Sequence, residues 1–96
     1  MNKIQLKRII QDAFIGYIAE GFRAVAFDFL DTTIKIIVYL NRKPNEKDYE
    51  IVDMAVTEIL ASAPQFLKQE IIIEENHLPI GKLEAFKGWI FVRYED

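Results

Sequence analysis

Ninety-six residues suffice for one domain, expected over 1–96, that buries a core without disulfide staples. A composition of 51% hydrophobic and 28% charged residues with a net charge of −3 excludes a disordered chain. The absence of cysteine excludes disulfides and thiolate metal sites and fits a reducing compartment.

The chain opens with MNKIQLKRIIQDAF, which is charged through its first turns and lacks the unbroken apolar run of a signal peptide. No stretch approaches the ~20 apolar residues of a membrane span, so a cytoplasmic protein is expected. Over residues 3–20, Leu6, Ile9, Ile10, Ala13, Phe14, Tyr17 and Ile18 recur at three-and-four spacing. That period predicts an amphipathic helix ended by Gly21, with Gly16 marking close packing or a bend.

Residues 22–30 and 33–40 alternate with period two, and Asp31-Thr32 supplies turn chemistry between them, so FDFLDTTIKIIVYL reads as a hairpin. In NRKPNEKDYE, Pro44 keeps Lys43 out of the helical region and Asn45 is a good N-cap. Glu46 and Asp48 then place negative charge on a first helical turn, where the helix dipole favours it. Tyr49, Val52, Val56, Ile59, Leu60 and Ala63 form the apolar stripe of this second helix, which Pro64 closes. A third strand is expected over 69–75 and a fourth over 88–96, separated by a loop with one possible helical turn after Pro79. The order αββαββ predicts an α+β domain: a four-stranded, mostly antiparallel sheet with two helices on one face.

Little in the chain points to bond-making chemistry. His77 is the only histidine, beside Glu74 and Glu75 in a proline-containing loop, and Ser62 is the only serine, with no base near it in sequence. No phosphate-cradling glycine loop or HxxxH spacing occurs, so no catalytic residue, metal ligand or cofactor is assigned. A hydrolase using His77 with Glu74 or Glu75 is the least favoured reading. Two small basic clusters, Lys3, Lys7, Arg8 and Arg42, Lys43, Lys47, are too few in an acidic chain to drive nucleic-acid binding.

Two surfaces stand out instead. Residues 45–75 carry eight acidic groups and two basic ones, whereas residues 1–44 carry four acidic and seven basic. Glu46, Glu50, Asp53 and Thr57 line the side of the second helix opposite its apolar stripe, flanked by Asp48 and Glu58. None of Glu46, Glu50 and Asp53 has a lysine or arginine four residues on. This anionic stripe, expected to continue toward Glu70, Glu74 and Glu75, suits a basic partner. The second surface is the sheet face away from the helices, where alternation places Ile37, Tyr39, Ile72, Trp89 and Phe91. Either a partner or a second copy covers these side chains, or the loop from Asn76 to Gly88 folds over them with Leu78, Leu83 and Phe86.

VYLNRKPNEKDYE leading into the acidic helix, with the closing GWIFVRYED, resembles contact-dependent growth inhibition immunity proteins, small bacterial proteins encoded beside secreted toxins. The resemblance implies a cytoplasmic, non-enzymatic protein that neutralises one cognate toxin domain, often a basic nuclease, by masking its functional surface. The expected contacts are Glu46, Glu50, Asp53, Glu58, Glu70 and Glu74, with Tyr39 and Trp89 as apolar anchors. The alternative is a small structural or regulatory homodimer that pairs through the apolar sheet face.

Overall fold

The central hairpin forms as its alternation dictates. In the computed structural model, which describes residues 1–95, β1 (Phe22–Leu30) pairs antiparallel with β2 (Thr33–Leu40) around a turn in which Asp31 takes a positive φ of 54°. The remaining strands flank this pair: β3 (Lys68–Glu75) lies parallel to β2, and β4 (Gly88–Val92) lies antiparallel to β1. The sheet order is therefore β3-β2-β1-β4, with two of its three pairings antiparallel.

Helices α1 (Lys3–Ala13) and α2 (Glu46–Ser62) pack on each other, α1 also meeting β4 and α2 also meeting β3. Their apolar stripes share one core with the alternate residues Val25, Phe27, Ile34, Ile36, Val38, Ile73 and Ile90. This two-layer α+β arrangement in αββαββ order is the one expected from the sequence. Both helices start on capping boxes, built by Asn2 with Gln5 and by Asn45 with Asp48, which satisfy orphan first-turn N–H groups. A short 3-10 turn (Ile80–Lys82) follows Pro79.

Helix α1 is shorter than its periodicity predicts. It stops at Ala13, and Gly16 adopts a φ of 87°, the left-handed conformation that ends a helix and costs glycine least. Tyr17 and Ile18 keep helical spacing in the sequence but lie in the irregular connection beyond. In α2 the buried stripe is Asp48, Val52, Ala55, Val56 and Ile59, so Tyr49, expected inside, sits 46% exposed while Asp48 is enclosed.

β4 ends at Val92, shorter than the expected 88–96, of which Asp96 lies outside the described residues. A bulge interrupts its pairing: Trp89 opposes Ala26 and Phe91 opposes Val25, leaving Ile90 as the extra residue. The bulge reverses the phase of the strand, so Phe91 packs against the helix-side core, not on the far face where simple alternation puts it.

Candidate partner-docking surface

The far face of the sheet is covered by the chain itself. Ala24, Ala26, Ile37, Tyr39 and Leu83 form a second buried cluster, against which Ile72, Ile80 and Trp89 pack. Ala24 and Ala26 leave room above the sheet for Leu83, which is carried in by the segment between β3 and β4. That strap is pinned along its length. The Tyr39 hydroxyl donates to the carbonyl of Glu84 at 2.8 Å, and the Lys87 N–H donates to the carbonyl of Phe27 at 2.9 Å.

The strap's first residues are held by Arg23, which the sequence reading passed over. A register shift between Phe22 and Ala24 isolates Arg23 on β1 and turns its side chain to the strap. Only 5% exposed, Arg23 donates through Nη1 to the carbonyls of Asn76 (2.6 Å) and Leu78 (2.8 Å). Its Nε and Nη2 grip both carboxylate oxygens of Glu95 at 2.9 and 2.7 Å, and Arg93 adds a contact of 2.7 Å. Hydrogen bonds from these two guanidiniums hold the Glu95 carboxyl down to a pKa of about 2. The only advance signal was an arginine among the apolar residues that open β1.

Two sequence expectations change as a result. Tyr39 is 4% exposed and hydrogen-bonded beneath the strap, so it belongs to the core and not to an open docking face. Burial pushes its phenol pKa up, reinforced by Glu74 and Glu84. Trp89 stands edge-on to Tyr39, their ring centroids 6.0 Å apart, and keeps partial exposure. The bare apolar sheet face that a homodimer was expected to use is occupied by Leu83 and its neighbours.

The acidic residues divide into two groups by what they touch. Asp48, Glu95 and Asp28 are in ion pairs, and Glu75 is in contact with the His77 ring. Asp48 is the most enclosed: Arg42 reaches both of its carboxylate oxygens at 2.8 Å, and Asn45 donates its main-chain N–H to the same group. Arg42 thereby holds the Asp48 carboxyl below the usual aspartate range. Gly21 makes this approach possible, because at its φ of 92° a Cβ would lie 2.7 Å from Arg42 Nε. Asp48 is thus a structural cap and not part of a solvent-facing acidic flank.

Among the described residues, none of Glu46, Glu50, Asp53, Glu58, Glu70 and Glu74 is in an ion pair. Glu46, Glu50 and Asp53 lie exposed on α2, and Asp53 accepts a hydrogen bond from Gln69 on β3 at 3.1 Å. Glu58 lies on the flank of α2 toward α1, where Tyr17 Oη is 3.4 Å away. Glu70 and Glu74 share the face of β3 that carries Ile72, since Ile71 and Ile73 point to the helices. The expected single stripe is therefore two acidic margins on opposite faces of the sheet, meeting at β3. His77 Nε2 lies 2.8 Å from Glu75 Oε2 on an exposed loop. No group of three or more His, Cys, Asp or Glu side chains among the described residues is placed to hold a metal ion.

Fold and surface together define a small α+β protein with helices on one sheet face, a strap on the other and an unpaired anionic margin. Solved structures of the MamM CTD share this fold. A variant in its zinc form matches with a TM-score of 0.55 and 12% identity over 86% of this chain and 96% of that one. The copper form matches with a TM-score of 0.52 and 15% identity over 86% and 93%. No curated protein matches the sequence. Residues 3–95 match the model of the MafI2 immunity protein family, and the chain belongs to that family. It is therefore a toxin immunity protein with a cognate toxin as its partner. The match names MafI2 and does not specify the contact-dependent growth inhibition type that the sequence resembles.

Proposed function

We propose that this immunity protein neutralises its toxin by docking an acidic surface over a cationic, nucleic-acid-binding face, the toxin being a nuclease. The observation that supports this reading is the division of the acids. Asp48 and Glu95, which hold the fold, are paired, whereas among the described residues Glu46, Glu50 and Asp53 on α2 and Glu70 and Glu74 on β3 are in no ion pair, Glu70 having Lys35 beside it in the β2–β3 register. A toxin that grips phosphates displays lysines and arginines, and unpaired carboxylates complement them, steering encounter and fixing orientation. Inhibition by masking needs no chemistry from the inhibitor, so in this reading the protein is a non-catalytic partner, placed in the cytoplasm by the resemblance to immunity proteins.

Trp89 remains a candidate apolar anchor, because its ring is partly exposed at the margin of the strap. The test is capture of a catalytically inactivated cognate toxin domain by the wild-type protein and by the double variant Glu50→Lys/Asp53→Lys. The variant should keep its circular dichroism and thermal transition and associate roughly tenfold more slowly at low salt. Association unchanged by the double reversal overturns the acidic-surface reading.

A further inference from the structure

β3 is an outer strand, and its main-chain hydrogen bonds are one-sided. Lys68 and Asn76 donate their N–H groups to the carbonyls of Thr32 and Leu40. In the parallel ladder the even-numbered residues between them therefore face β2, and Gln69, Ile71, Ile73 and Glu75 direct N–H and C=O away from it. No strand of this chain lies beyond them among the described residues.

Outer strands are ordinarily guarded by shortness, bulges, proline or lysine. β4, at the opposite edge, has such protection: it is five residues long and bulged. β3 has little. It runs eight residues in unbroken register with β2, contains no proline, and has one lysine, at its first position. Charges around this edge are mostly of one sign. Glu70 and Glu74 stand on one face of the strand, Glu75 at its end, and Asp53 reaches Gln69 from the helix side.

We propose that the open edge of β3 accepts an extended, cation-bearing segment of the cognate toxin as a fifth strand. This rests on the immunity reading above and deepens it by naming where the toxin's backbone docks. Main-chain bonds to Gln69, Ile71, Ile73 and Glu75 supply the affinity, and the flanking carboxylates select lysine or arginine at alternate positions of the added strand. A second copy of this chain suits the edge less, because each copy brings Glu70, Glu74 and Glu75 against a single Lys68.

Amide hydrogen exchange on the wild-type protein tests the proposal without a variant. Adding the inactivated cognate toxin domain should slow exchange at Gln69, Ile71, Ile73 and Glu75 by about tenfold or more. The amides of Glu70, Ile72 and Glu74, already bonded to β2, should change less. Gln69→Pro removes one outward donor without touching the β2 ladder, and Gln69→Ala removes only the side chain. The proline variant should bind about tenfold more weakly than the alanine variant. Capture of the toxin with these four amides unprotected and the two variants alike overturns the edge proposal while leaving the immunity reading standing. No capture by the wild-type protein overturns the reading itself. Protection that grows with the protein's own concentration, without toxin, identifies a second copy as the occupant and also overturns the proposal.

Discussion

A carboxylate's role in this molecule follows from what surrounds it. Asp48 and Glu50 are two residues apart on α2, yet one is 1% exposed and doubly bonded to Arg42 while the other faces solvent. Asp48→Ala removes half of the α2 capping box and the carboxylate that Arg42 grips, while the guanidinium keeps the carbonyls of Glu20 and Lys43, so it should cost ~1–2 kcal/mol in denaturant unfolding. Glu95 gives a pH signature. Its folded pKa of about 2 is below the ordinary value of 4.5, so the stability it contributes is fully present above about pH 4.5 and is lost as pH falls toward 2. Asp48 shifts in the same direction and adds to the acid sensitivity. The thermal midpoint should therefore fall across that range, and Glu95→Gln should flatten the profile.

At the scale of elements, the strap is the feature that local patterning left open: its folding over the far face was one of two expected outcomes, and of Leu78, Leu83 and Phe86 only Leu83 is buried there. Its sequence, ENHLPIGKLEAFKG, shows a proline, two glycines and scattered apolar residues, with no period to say which side chain turns inward. Leu83 becomes a core residue because Ala24 and Ala26, far away in the chain on β1, are small enough to admit it. Leu83→Ala should destabilise the fold by ~2–4 kcal/mol and loosen the strap. The readout is direct: Trp89, the only tryptophan, packs on this cluster, so its emission should shift to the red and segment 76–87 should exchange amide protons faster. The two bulges were equally unreadable, since the extra residue in each, Arg23 and Ile90, is defined only by the partner strand. The hairpin, the second helix and its Asn45 cap were legible because each follows from a local period or a capping group.

Across the whole molecule, net charge understates the electrostatics. The sum of −3 combines a mildly basic first half with an acidic middle segment, and the fold spreads that segment's acids over α2 and both faces of β3. Contact with a cationic toxin through exposed carboxylates should show association that slows as salt rises, because such charges are screened within about 8 Å at physiological ionic strength. Wild-type protein and Glu50→Lys/Asp53→Lys should therefore differ most in stopped-flow association at low salt and converge at high salt. Parallel rates at every salt concentration would contradict a role for these two side chains.

By itself the sequence determined the order of elements, the apolar half of each strand of the hairpin, the caps of α2 and the uneven placement of charge, because these depend on neighbours within a few residues. Only the tertiary structure decided that β3 lies outermost, that the strap buries Tyr39, that Arg23 grips the tail and that Asp48 is internal while Glu50 is not. Each of these turns on a contact between residues distant in the chain, on a strand order that period-two patterning leaves open, or on a bulge that shifts which face a side chain occupies.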